Sequence, residues 1–263
     1  MTTEETERTT GSGGEMTLVE HLTELRARVV KSVIAVAAGG VIVFILYDQI
    51  FDAIIQPYCT ALEEINEESF LESCALVQTQ PLEGFSLLFT VVGYGGFMLA
   101  MPVILWQVWQ FVVPGLYPHE KRYAVPFVMT GAVLFFLGSA LAFWSAPRAL
   151  SFLLDIGGDG LLPLLSPAPY ISFLVKMLVA FGLGFQFPLL LILAQQLGLV
   201  TTKQLRSGRR YAVVGIVALV AVLTPSGDPI TLGVLSVPMY IFYEASILWG
   251  WLRNRRTRAS GAV

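Results

Sequence analysis

Apolar residues fall along this chain in long runs, separated by shorter stretches rich in charge, proline and glycine. Six such runs lie near residues 29–50, 84–106, 123–145, 170–196, 210–223 and 231–251. Five of them reach the roughly 20 residues with which a helix crosses a hydrocarbon layer of about 30 Å. The run at 210–223 gives only about 20 Å of helix before it meets the turn sequence TPSGDP at 224–229. A span that short requires a locally thinned bilayer or shielding by its neighbours. The pattern therefore predicts an all-α polytopic membrane protein with six transmembrane helices.

The polar connections carry their own signals. Thr17-Leu-Val-Glu20 fits a capping box, and Leu18, Leu22, Leu25 and Val29 then share one helical face. A surface helix leading into the first span is expected there. The connection at 48–83 is long and acidic, with Pro57 and Pro81 near its ends, and reads as a folded cap. The connection at 146–169 holds four prolines, so turns and short helices only are expected. Pro102, Pro126, Pro188 and Pro238 fall inside spans. They imply bent helices around a concave surface, or simply the ordinary frequency of proline in membrane helices. The domain reading is a disordered cytoplasmic tail over 1–15, a six-helix membrane domain over 16–252, and a basic cytoplasmic tail over 253–263.

Composition agrees, with 55% hydrophobic and 13% charged residues and a mean hydropathy of +0.70. The net charge of −3 hides an asymmetry, because 14 of the 16 lysines and arginines fall on one side of a six-span chain. By the positive-inside rule both termini are then cytoplasmic. In a bacterial plasma membrane, Cys59 and Cys74 would share the first outward, oxidising-side loop, as a disulfide or as two thiols.

No catalytic motif stands out: HExxH, P-loop and GxSxG patterns are all missing. The sequence thus points to a non-enzyme, with no metal, cofactor or nucleic acid implied. Polar residues within spans are few: Lys176, Gln186, Gln195, Gln196 and Glu244. Lys176 is placed to snorkel outward. A polytopic small-solute transporter is the alternative function, and it predicts saturable flux by this chain alone. No inverted repeat supports it. Two short stretches, HLTELRAR at 21–28 and GLYPHEKR at 115–122, set Glu24 and Glu120 among cations on the basic side. Each glutamate has an ordinary reading: Glu24 pairs with Arg28 one turn on, and Glu120 is offset by Lys121 or Arg122. Together, two carboxylates on one rim could instead bind guanidinium groups, which carboxylates grip bidentately.

HLTELRAR, WQVWQFVVPGLYPHEKR (106–122), FGLGFQFP (181–188) and TPSGD…VPMYIFYE (224–244) occur in this order. In that order they resemble the TatC family, the receptor subunit of the twin-arginine protein translocase. The resemblance runs from about Met16 to Trp251. It implies a cupped six-helix fold whose last two spans are short, in the bacterial cytoplasmic membrane. It also implies a role in export of folded proteins driven by the proton motive force. The implied partners are TatA- and TatB-type single-span subunits, twin-arginine signal peptides, membrane lipid and further copies of the chain. Residue by residue, it implies signal-peptide binding by Glu24 and Glu120, with Arg26, Phe111 and His119 beside them. It places Pro57, Asp228 and Glu244 at positions of partner or intramembrane contact. Gln186 stands where many members have a glutamate. It cannot titrate there, and a contact with a polar group of a partner helix is expected of it.

Overall fold

The apolar runs become helices, but their ends do not fall where hydropathy alone puts them. The computed structural model describes residues 18–64, 76, 78–112, 124–156, 166–224 and 228–260. Those residues form α1 (Leu18–Ile45), α2 (Tyr47–Glu64), α3 (Glu83–Val112), α4 (Ala124–Asp155) and α5 (Pro167–Gly184). They continue with α6 (Phe187–Gln196), α7 (Thr202–Ser207), α8 (Arg209–Leu223) and α9 (Pro229–Ser260). The tail at 1–15, and Thr17 of the expected capping box, lie outside the described residues.

Five stretches among the described residues are helical, long and apolar enough to cross a membrane: Leu22–Ile45, Glu83–Phe111, Val125–Asp155, Pro167–Gln196 and Pro229–Arg253. The remaining expected span is α8, an apolar helix of only 15 residues, about 22 Å long at 1.5 Å per residue. The last helix continues past the apolar run at 231–251. α9 runs for 32 residues, because the basic stretch WLRNRRTRAS contains no glycine or proline to stop it.

Three other boundaries differ from expectation. The connection at 146–169 begins as helix, since α4 continues through Pro147 to Asp155. Ala146, Ala149 and Leu150 are buried in the main core, which offsets the hydrogen bond lost at the proline. The run at 170–196 is two helices, α5 and α6. Pro188 has no N–H and its ring conflicts with the carbonyl of residue 184, so the chain turns at Phe185 and Gln186. Phe185 N–H bonds Phe181 O at 2.9 Å and Gln186 N–H bonds Leu183 O at 3.0 Å to close that turn. Pro126 lies in the first turn of α4, where an N–H has no helical partner to lose, so it makes no mid-span kink. The expected cap contains α2, separated from α1 by Leu46 alone.

Helix packing depends on glycine at two crossings. α1 lies against α3 so closely that a Cβ on Gly39 would sit 2.7 Å from the Gly96 carbonyl oxygen. Where α4 crosses α5, a Cβ on Gly138 would sit 2.6 Å from the Phe181 oxygen, and the Ser139 hydroxyl donates to Leu178 O at 3.1 Å. Small residues at such crossings let backbones approach where lipid offers no hydrophobic drive to associate. α2 packs on α4, and α9 crosses α6 and α8. Phe135, Phe181, Leu235 and Met239 fill the interior. The outer face of α1 presents Val33, Ile34, Val41 and Ile42, a surface suited to lipid tails.

Two ends of the bundle can be told apart by what meets there. At one, Glu83 opens α3 and accepts from Thr79 N–H at 2.9 Å and from Ala168 N–H, at the start of α5, at 3.1 Å. Tyr170 OH donates to Ile54 O of α2 at 2.7 Å in the same region. The start of α1 and the end of α3 meet at the opposite end.

Candidate functional site

Among the described residues, that opposite end carries Glu24, Arg26 and Phe111 of those singled out from the sequence. Glu24 lies on the first turns of α1 and pairs with Arg28 one turn later, which is the ordinary helical pairing. Arg28 reaches further than that pairing requires. Its Nε donates to Glu24 Oε1 at 3.1 Å, and its Nη1 donates to Gln110 Oε1 near the end of α3 at 2.6 Å. Arg28 therefore ties two helices and fixes the Glu24 carboxylate through one oxygen. The other oxygen, Glu24 Oε2, is shielded from solvent and has no hydrogen-bond partner. An anionic oxygen left this way is costly unless a donor reaches it.

Two further groups near the end of α3 share that condition. Gln107 Oε1 and Trp109 Nε1 are buried without a hydrogen-bond partner, and the Trp109 ring packs on Phe127 of α4 with centroids 4.4 Å apart. Phe111 is half-buried one residue past Gln110, whereas Arg26 is exposed on α1. The partner of Glu24 is thus Arg28 and not Arg26. Glu120 and His119, in the segment joining α3 to α4, lie outside the described residues, as does Cys74; Cys59 is half-buried on α2.

The four intramembrane or partner positions fall apart in space. Pro57 is buried within α2. Gln186 sits at the break between α5 and α6, 7% exposed. Its Nε2 donates to Gly131 O of α4 at 2.8 Å, while its Oε1 is buried without a partner. Asp228 precedes α9 and accepts from Thr231 N–H at 2.8 Å and from Thr231 Oγ1 at 2.5 Å, a helix cap. Glu244, midway along α9, accepts from Arg209 at the start of α8 at 2.7 Å and from Tyr240 OH at 3.1 Å. Lys176 is exposed on α5, as snorkelling requires. Gln195 Nε2 donates to Ser246 O at 3.1 Å, joining the end of α6 to α9.

Sequence reasoning missed the roles of Gln110 and Glu83. Gln110 repeats Gln107 at i+3, a spacing that puts two amides on one face of an apolar helix, and that was the available signal. Glu83 was legible only as one more acid on the less basic side.

No group of three or more potential metal ligands occurs among the described residues. Apolar helices whose polar groups gather at the bundle ends and at one internal break define an all-helical polytopic membrane protein with a polar rim at one end. Residues 20–238 match the family model described as Sec-independent protein translocase protein (TatC), and the chain belongs to the TatC family. It is 37% identical over 246 residues to the Sec-independent protein translocase protein TatC of Aquifex aeolicus, covering 92% of this chain and 98% of that one. The Frankia casuarinae protein of the same name is 37% identical over 249 residues, covering 94% of this chain and 68% of its own. A crystal structure described as the twin-arginine translocase receptor TatC superposes with a TM-score of 0.71 at 37% identity. That match covers 89% of this chain and 99% of the other. As a family member the chain is a multi-pass membrane protein and a non-enzymatic component of a translocase.

Proposed function

We propose that this chain is the receptor of a twin-arginine translocase and binds signal peptides through Glu24 and Glu120 on a cytoplasmic rim. One observation carries the reading: Glu24 Oε2 is held at the bundle end with no donor of its own. Arg28 secures the neighbouring oxygen and anchors to Gln110, ten residues before Glu120 along the chain. A guanidinium arriving at Oε2 supplies the missing donor, and Glu120 offers a second carboxylate for the second arginine. Arg preference over Lys follows from the planar fork, which a point-like ammonium cannot reproduce. Phe111 and His119 flank the peptide, and Arg26, exposed on α1, orients the surface helix or a glutamate and does not contact the cationic ligand.

Both termini lie in the bacterial cytoplasm in this proposal, as the clustering of basic residues supports. TatA- and TatB-type single-span subunits, together with further copies of this chain, complete a complex that exports folded proteins using the proton motive force. Among the four partner positions, Glu244 is accessible, at 33% side-chain exposure. Pro57, Gln186 and Asp228 are buried within their own chain and act by shaping the surfaces that partners meet.

The test is binding of a labelled signal peptide to the purified protein in nanodiscs. Arg-Arg and Lys-Lys peptides are compared on the unaltered protein, Glu24→Gln and Glu120→Gln. A strong Arg-Arg preference that falls in both variants supports the receptor site. Equal binding of both peptides, indifferent to the two glutamates, returns those residues to ordinary surface pairs.

A further inference from the structure

We propose that the cavity between α7, α8 and α9 binds the headgroup of an anionic glycerophospholipid. The cavity has a volume of about 960 Å³. Lys203 and Arg206 of α7 and Arg209 of α8 line one wall, and Ile241, Leu248 and Trp251 of α9 line the other. Glu244 is the one carboxylate among the lining residues, against three cations. It is already engaged, with Arg209 on one oxygen and Tyr240 on the other.

Lys203 and Arg206 are exposed, and neither has an ion-pair partner among the described residues. Their spacing of three places both on one side of α7. That helix is held rigidly for its length. Thr201 and Gln204 form a reciprocal capping box, Leu205 is buried, and Tyr243 OH donates to Leu205 O at 2.6 Å. The two free cations are therefore presented on a fixed turn, where a phosphodiester can take both.

The apolar wall argues for a lipid over free phosphate. Ile241 and Leu248 line the cavity, and Val237 and Leu252 continue their exposed stripe along α9, an apolar strip on which an acyl chain can lie. Trp251 lines the same cavity and is exposed, and an indole suits the boundary between headgroups and tails. The neighbouring helix, α8, is only 15 residues long and cannot match a full hydrocarbon thickness. Headgroups drawn inward beside it would arrive level with this cavity. The site shares no residue with the Glu24 rim and does not depend on the signal-peptide reading.

The experiment is native mass spectrometry of the purified full chain, titrated with phosphatidylglycerol or phosphatidylethanolamine. Phosphatidylglycerol should bind in preference, raise the unfolding temperature, and resist displacement by millimolar inorganic phosphate. Lys203→Gln and Arg206→Gln should each weaken phosphatidylglycerol binding about fivefold. Arg148→Gln, an exposed cation on α4, should leave it unchanged. Equal binding of the two lipids by the unaltered protein overturns the proposal, as does ready displacement by phosphate, which would mark a simple anion site. A lipid preference that survives when Lys203→Gln and Arg206→Gln are combined, while single-span subunits no longer co-purify, would assign the cavity to an acidic protein segment instead. Both substituted residues are exposed, and each single variant's unfolding curve without lipid verifies that it is folded.

Discussion

Replacing Asp228 separates a structural role from a partner contact. Asp228 is 3% exposed and Thr231 fully buried. Both carboxylate oxygens are committed to Thr231, at 2.8 Å to its amide and 2.5 Å to its hydroxyl. Asp228→Ala removes a helix cap, worth about 0.5–2 kcal/mol. It also removes the carboxylate acceptors of the buried Thr231 amide and hydroxyl, the hydroxyl keeping its bond to Asp228 O at 3.2 Å, at about 1–3 kcal/mol. The two costs overlap, so about 2–3 kcal/mol is expected. Asparagine caps as well as aspartate, so Asp228→Asn should stay within about 1 kcal/mol of the unaltered protein. Thermal unfolding in detergent, followed by the monodisperse fraction surviving on a sizing column, reads both. Asp228→Ala as stable as the unaltered protein would refute the cap, and so would Asp228→Asn as unstable as Asp228→Ala. A loss of export in Asp228→Asn at intact stability would mean that the charge itself meets a partner.

Other substitutions test other parts of the fold. Gly138→Val drives a side chain into the Phe181 backbone, and a loss of about 3 kcal/mol or more should abolish monodisperse protein; a well-folded variant would show that the α4–α5 crossing is looser than described. Glu83→Ala should speed hydrogen exchange at the amides of Thr79 and Ala168, and unchanged exchange at Ala168 would deny that Glu83 joins the starts of α3 and α5. Gln186→Leu forfeits the bond to Gly131 but also removes a stranded acceptor, so stability should change by no more than about 1 kcal/mol. A large loss in that variant would mean that Gln186 Oε1 has a donor after all.

Hydropathy made the apolar segments legible because transfer to lipid depends on local composition. It could not place their ends. α4 continues to Asp155 because Ala146, Ala149 and Leu150 find a core assembled from distant parts of the chain, and that burial overrides the breaking tendency of Pro147. Pro188, by contrast, did break its helix, and nothing local distinguishes the two prolines. In the rim, the Glu24–Arg28 pairing was legible at i+4, but the reach of Arg28 to Gln110 spans 82 positions. The joint made by Glu83 spans 85. Such contacts are set by helix packing, and no window of sequence contains them. Gln186 was legible as a polar residue at membrane depth, while its bond to the Gly131 carbonyl depended on how α5 packs against α4.

The glycine crossing of α1 and α3 has a mechanical consequence. Gly39 lies 15 residues from Glu24 and Gly96 lies 14 from Gln110, so two arms of about 22 Å extend from one fulcrum. A change of about 5° in the crossing angle moves each arm's tip by roughly 2 Å. That stroke exceeds the slack in the 2.6 Å bond between Arg28 and Gln110. A rotation of that size at the crossing would therefore break the tie between Arg28 and Gln110 at the tips.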